Sequence, residues 1–117
     1  MADQATEEPK PRGPILPGHP EAESLGFHSG LFDGYLFIDP DYVYVSAITS
    51  LKPGEGNLSA LFNTILNAGL GIKVPTPLGR MEEILKHKGF SKTVVFWEEM
   101  EENIDLWVLE PTSRQKP

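Results

Sequence analysis

The feature that most constrains the fold is a strand-helix-strand pattern in the middle of the chain. Tyr42–Thr49 is a run of aromatic and β-branched residues with few polar interruptions, which predicts a central strand covered on both faces. Apolar residues then recur at helical spacing over residues 58–68, after Asn57 as a candidate N-cap, and Ile72–Val74 predicts a second, short strand. Such a unit predicts a right-handed crossover and therefore a parallel pair of strands.

Two hairpins flank this unit. Gly34–Ile38 and the central strand are separated only by the turn-forming residues Asp39–Asp41, which predicts the first hairpin. Thr93–Glu98 and Ile104–Leu109 predict the second hairpin near the C-terminal end. Both hairpins imply antiparallel pairs, so the sheet is expected to be mixed.

A second helix is predicted between the short strand and the last hairpin. Thr76 can cap it, Pro77 can occupy its first position, and Gly89 can end it after Lys88. The predicted order is β-β-α-β-α-β-β. The expected fold class is α/β (α+β), a small mixed sheet with two helices.

The two ends differ in composition from the middle. Prolines recur among charged and small residues before residue 31, at positions 9, 11, 14, 17 and 20, and few apolar side chains are available there to offset chain entropy. We therefore predict a proline-rich extended arm over residues 1–30, an α/β domain over residues 31–110 and a flexible tail over residues 111–117.

Composition narrows the possible partners. The chain has no cysteine, which favours a reducing, cytoplasmic compartment, and it contains neither a signal peptide nor an apolar run long enough to span a membrane. The net charge of −7 would repel phosphate backbones, so nucleic acid is not expected as a partner. One local basic cluster could contact a small anion, although a solvated helix face is the simpler interpretation: Arg80, Lys86, His87, Lys88 and Lys92.

Side chains that commonly act in catalysis or metal binding form no recognisable motif in this sequence. The three histidines are far apart and lack the spacing of metal ligands, so no metal site is expected. The serines lie in no nucleophile-elbow motif. Glutamates at positions 98, 99, 101 and 102 cluster at a predicted turn, where solvation is a simpler explanation than acid-base catalysis.

Two short motifs accompany this element order. A glycine-containing loop, Pro53-Gly54-Glu55-Gly56, precedes the first helix, and the second helix ends in Lys88-Gly89-Phe90 before the last hairpin. Together with the element order, they resemble the C-terminal half of the GNAT superfamily of acyl-CoA N-acyltransferases. The resemblance implies that backbone N–H groups of this loop and of the helix start would hold the pyrophosphate of acetyl-CoA. The candidate cofactor-binding residues are Gly54, Glu55, Gly56, Asn57, Leu58 and Ser59.

The sequence also departs from the family pattern. In one alignment Pro53 replaces the family's basic residue and Leu58 its last glycine; in another, Leu51 takes the basic position. Glu55 would place a negative charge beside the phosphate. Leu78 and Leu85 stand where the family often has an asparagine and a tyrosine, and a leucine cannot protonate a leaving thiolate. The catalytic residues therefore remain unassigned.

Two functions are compatible with a GNAT-like element order that departs from the family at these positions. The first is a GNAT-like domain with degenerate catalytic motifs that acts by binding another protein, similar to shortened GNAT-like proteins of tailed bacteriophages, in the cytoplasm or in a virion. The second is a small active acetyl-CoA-dependent N-acetyltransferase, in which a bound water or Tyr44 moves protons.

The expected protein-binding elements are the N-terminal arm and the strand Gly34–Ile38. This strand has no lysine or proline to protect an open edge, so the sequence predicts that it is covered. The predicted cover is the segment Leu25–Leu31, a second copy in a homo-oligomer, or a partner protein.

Overall fold

The computed structural model describes residues 11–77, 79–98 and 101–112 of the chain. It is a mixed α+β fold in which three helices accompany one six-stranded sheet of order β1-β2-β3-β4-β6-β5. The elements, in chain order, are β1 (Arg12–Ile15), α1 (Pro20–Ser24), β2 (Phe32–Ile38), β3 (Tyr42–Ser50), α2 (Asn57–Asn67), β4 (Gly71–Pro75), α3 (Met81–His87), β5 (Ser91–Trp97) and β6 (Glu102–Leu109).

The predicted strand-helix-strand unit is confirmed. β3 and β4 are parallel neighbours, with Tyr42 opposite Gly71 and Tyr44 opposite Lys73, and α2 connects them. The apolar stripe of α2 packs on the sheet, because Leu61, Phe62 and Ile65 are buried. From β2 onward the order β-β-α-β-α-β-β is present, and both predicted hairpins form.

The core lies on the face of the sheet that α2 covers. Val43 and Val45 of β3 and Ile72 of β4 are fully buried there. Side chains alternate along a strand, so the residues between them point to the opposite face. On that face the Nζ atom of Lys73 lies 4.1 Å from the ring centroid of Tyr42. The sheet thus has one face packed by helices and one face lined by aromatic and long side chains.

The prediction of an extended arm is wrong for residues 11–30. β1 joins the sheet, and the segment that contains α1 packs into the core, with Ala22 and Phe27 at 0% exposure. The Phe27 ring stacks on the Phe32 ring at a centroid separation of 5.6 Å. The few apolar residues between the prolines are enough to join the core, which therefore begins at Ile15 rather than at residue 31. Residues 1–10 of the predicted arm and 113–117 of the predicted tail lie outside the described residues.

The edge of the predicted strand Gly34–Ile38 is covered between Leu36 and Ile38, and the predicted source of the cover is wrong. β2 pairs antiparallel with β1, with Arg12 opposite Ile38 and Ile15 opposite Leu36. The cover therefore comes from an earlier part of the same chain, and neither Leu25–Leu31 nor a second molecule supplies it. The prediction failed because β1 is only four residues long and contains Pro14, so its sequence does not resemble a strand.

The helix boundaries differ from the predicted ones. Asn57 is the first residue of α2 instead of its N-cap; the N-cap is Gly56, in the left-handed conformation. α3 begins at Met81 rather than Pro77; Gly79, inside the predicted helix, has a left-handed φ of 58°, and Thr76 before it has a φ of 44°. A third helix, α1, was not predicted. No helix in the described part of the chain is long and apolar enough to cross a membrane.

Candidate functional site

The main candidate site is a cleft where the parallel strands β3 and β4 separate. Their pairing ends at Tyr44 and Lys73. Beyond that point β3 continues to pair with β2, while β4 pairs with β6, up to Pro75 opposite Leu106. The sheet therefore divides into two halves towards the C-terminal ends of β3 and β4.

A bulge in β3 accompanies the separation. The register between β2 and β3 shifts between Asp33 and Tyr35, and Ala47 opposite this shift has a φ of 51°. Gly34 permits the close approach, because a Cβ atom there would lie 2.8 Å from the carbonyl oxygen of Ser46 and 2.9 Å from that of Ala47. A bulge bends and twists the strand that carries it, which directs the end of β3 away from β4.

A cavity of about 320 Å³ fills the gap between the strands. Its wall from β3 is Ala47, Ile48 and Thr49, and its opposite wall is residues 74–77 together with Met81 of α3. The lining is mostly apolar, with threonine side chains on both walls. The facing strand edges do not pair with each other here. The wall from β4 offers few backbone donors, because Pro75 and Pro77 have no N–H and the Thr76 N–H donates to the carbonyl oxygen of Asp105, so an extended ligand would bind mainly along β3.

The six predicted cofactor-binding residues lie at the same end of the sheet, although none of them lines this cavity. β3 ends at Ser50 and leads through an exposed loop, which contains Gly54, Glu55 and Gly56, into α2. The first turn of α2 contains the other three predicted residues, Asn57, Leu58 and Ser59, which are half-buried. The predicted residues thus lie on the loop and helix start that follow β3, and their role in binding stays a prediction.

The start of α2 has the features of an anion-binding position. No described side chain caps this helix, so the N–H groups of its first turn lack the acceptor that a cap would provide. Lys88 donates a hydrogen bond from Nζ to Ser59 Oγ and so brings a positive charge to this turn. The Nδ2 atom of Asn57 is buried and has no hydrogen-bond partner among the described residues. Helix polarity, an ammonium group and an unsatisfied donor all favour a negatively charged ligand here.

The contact of Lys88 with the start of α2 was not predicted from the sequence. Lys88 was one member of a basic cluster for which a solvated helix face was the simpler interpretation and contact with a small anion the alternative, and it is half-buried where α3 ends. Its partner Ser59 is 29 positions earlier in the chain. The only signal in the sequence was a lysine directly before the helix-ending Gly89, which is common at helix ends and does not identify a contact.

The described residues supply no general acid at the position where the GNAT resemblance would place one. Leu85 is fully buried in the core, and Leu78 lies outside the described residues. Tyr44 lines a different groove, on the helix-free face, whose volume is about 540 Å³. That groove is lined by Pro11, Phe37, Tyr44, Ser46, Phe96, Trp97 and Glu98. Tyr44 and the loop glycines are therefore not brought together in one cavity.

Two carboxylates with a lowered pKa, Glu21 and Glu23, lie on α1, away from the cleft. The pKa of Glu23 lies below its usual value, because Glu23 is hydrogen-bonded to His28 and accepts from the backbone N–H of Ser29 and Gly18. The ion pair with Arg12 similarly lowers the pKa of Glu21. Since these contacts attach α1 to its neighbours, they are structural. No group of three or more potential metal ligands occurs within the described ranges.

No family model, curated protein or solved structure matches the chain. The function proposed below therefore rests on the chemistry of the cleft and of the start of α2, which follows β3 in the chain.

Proposed function

We propose that the protein binds an acyl-coenzyme A through the cleft between β3 and β4, as a GNAT-like domain with degenerate catalytic residues. The observation that carries the proposal is the separation of two parallel strands at the end of the sheet where α2 begins. The pantetheine arm of coenzyme A is an extended chain with two amide groups. The edge of β3, which has no β4 partner after Tyr44, can hold such a chain by backbone hydrogen bonds, as it would hold an added strand.

The pyrophosphate of the same ligand would lie at the start of α2. There it would receive N–H groups of the first turn and the charge of Lys88. Glu55 opposes this interaction, but its side chain is exposed, so solvent screens its charge. Glu55 would thus reduce the affinity for the pyrophosphate without abolishing binding.

Ligand binding has better support than a role in protein binding alone. The two segments expected to bind a partner, the arm before residue 31 and the strand Gly34–Ile38, are engaged with each other where the structure describes them. By contrast, β3 and β4 do not pair with each other along the walls of the cleft. The described residues around the cleft contain no side chain placed to protonate a leaving thiolate, so binding is proposed and turnover is not.

Calorimetry with acetyl-CoA and ADP tests the phosphate position. Asparagine and aspartate both tolerate the left-handed conformation of Gly56, and they differ in charge, so Gly56→Asn is the matched control for Gly56→Asp. We expect Gly56→Asp to weaken binding of both ligands by about tenfold or more, and Gly56→Asn to retain most of the affinity. Equal affinity in the two variants would show that no phosphate lies at this helix start.

The cleft is tested separately with Thr49→Trp, which places a large side chain in the cavity. Thr49→Ser is its control, because it keeps the hydroxyl and leaves the cavity open. We expect Thr49→Trp to abolish the advantage of acetyl-CoA over ADP while ADP binds as before. If wild-type protein binds neither ligand at millimolar concentration, the proposed function is wrong. If the protein transfers the acetyl group to amines, the leaving thiolate is protonated by a group outside the usual acid position of the family, where Leu85 stands.

A further inference from the structure

The strand β5 forms the opposite edge of the sheet, and its outer side pairs with no strand of the described chain. Val94 and Phe96 of this strand are 58% and 60% exposed, more than any other large hydrophobic side chain in the described residues. Side chains alternate along a strand, so Lys92, Val94 and Phe96 share one face of the sheet. The exposed apolar pair therefore lies directly on an open edge.

Apart from Lys92 near its start, this edge lacks the features that normally prevent strands of two molecules from pairing. The segment Thr93-Val94-Val95-Phe96-Trp97 contains no charge, no proline and no glycine, and its residue types all favour strands. β2, at the other side of the sheet, has a comparable sequence but is covered by β1. An open apolar edge of this kind is a site for strand addition.

We propose that a second copy of this chain occupies the edge, with the two β5 strands antiparallel about a two-fold axis through Val95. In that register Val94 lies opposite the partner's Phe96, and Lys92 lies opposite the partner's Glu98. The two exposed apolar residues then cover each other twice, once on each side of the axis. Two six-stranded sheets joined in this way form one continuous sheet.

Charge complementarity selects both the partner and the register. Lys92 lies near the start of β5, and a carboxylate, Glu98, directly follows its end. An antiparallel copy places opposite charges together at both ends of the shared segment. A shift of two residues towards the start of the strand would place Lys92 opposite the partner's Phe96 and leave neither charge with an opposite charge across the axis. The strand is thus complementary to itself in one register.

Analytical ultracentrifugation over a series of protein concentrations tests whether the edge of β5 mediates dimerisation. Val94→Lys puts a charge on the edge, and Leu16→Lys is the matched control, because Leu16 is similarly exposed at 52% but lies after β1. We expect wild type and Leu16→Lys to dimerise at micromolar concentration, and Val94→Lys to dimerise about tenfold or more weakly. A wild-type monomer throughout this range would overturn the proposal.

Disulfide formation tests the axis, because the chain has no cysteine of its own. Val95→Cys places two thiols directly opposite each other at the axis, within the Cα separation that a disulfide tolerates. Thr93→Cys, on the same face, lies opposite the partner's Trp97, so its two thiols are about four residues apart along the strands and cannot bridge. We expect a cross-linked dimer for Val95→Cys and none for Thr93→Cys. Cross-linking of both variants, or of Thr93→Cys alone, would contradict the register.

A charge exchange tests the end contacts. Lys92→Glu and Glu98→Lys should each weaken dimerisation several-fold, and the double variant should recover it, because the exchanged pair forms again across the axis. Additive losses in the double variant would overturn the pairing of these two residues.

Amide exchange completes the test, since a monomer with protected amides over residues 92–97 would show that another segment of the same chain covers the edge. The coenzyme A experiments are independent of all four tests.

Discussion

Gly34 is the residue on which the shape of the cleft depends most directly. Its φ of 127° and the nearby carbonyl oxygens of Ser46 and Ala47 leave no room for a Cβ atom. We expect Gly34→Ala to lower the free energy of unfolding by about 3 kcal/mol, through backbone strain and overlap together. Gly30→Ala is the control, because Gly30 also has a positive φ, 89°, but no described atom lies within 4 Å of the place a methyl group would take. That control should cost only about 1 kcal/mol in urea unfolding; equal losses would contradict the close approach.

Glu23 makes the acid sensitivity of α1 predictable. Its hydrogen bonds to His28, Ser29 and Gly18 lower its pKa in the folded state. A lowered folded pKa gives stability that is present above the unfolded pKa and is lost as the pH falls through the folded pKa. We therefore expect Glu23→Gln to be less stable than wild type at pH 7, with the difference shrinking as the solution is acidified below about pH 4.5. A constant difference across chemical denaturation curves from neutral to acidic pH would contradict this role.

The sequence could predict the residues of the helix start but not what approaches them. Gly54 and Gly56 before an apolar helix are a local signal, and the structure places them before α2 as expected. The contact of Lys88 with Ser59 depends on how α3 packs beside α2, which no local pattern encodes. The N-cap of α2 was also not predicted: Asn57 is a residue type that favours the N-cap, but Gly56 occupies that position.

At the scale of elements, local periodicity was sufficient where an element carries its own apolar face. The helical repeat before Asn67 and the apolar runs of β3, β5 and β6 identified those elements to within a few residues. β1 and α1 have no such pattern, because each contributes only one or two buried side chains, such as Ile15 and Ala22. Their structure comes from pairing with β2 and from burial against the finished core, which are long-range effects.

Phe27 tests whether the segment after α1 belongs to the core. It is fully buried and stacks on Phe32, so removing its ring leaves a cavity that the surrounding backbone cannot close. We expect Phe27→Ala to lower the free energy of unfolding by about 3–5 kcal/mol. The exposed Leu16→Ala should change it by less than about 0.5 kcal/mol. Near-equal stability of Phe27→Ala and wild type in urea would restore the view that this segment is an arm.

At the scale of the whole molecule, one core joins the two halves of the divided sheet. β3 and β4 share only three register pairs, but the buried cluster runs without a break from Ile15 of β1 to Trp107 of β6. The two halves should therefore unfold together. A substitution of Ile15, at one end of the cluster, should then change the protection of backbone amides from hydrogen exchange at the other end. We expect Ile15→Ala, which removes most of a side chain that is only 6% exposed, to reduce global stability by about 2–4 kcal/mol. Amide exchange should then accelerate equally at Val74 and Trp107, on the far side of the cleft, and at Leu36 beside the substitution. Faster exchange at Leu36 alone would show that the cleft divides the molecule into two separately folding parts.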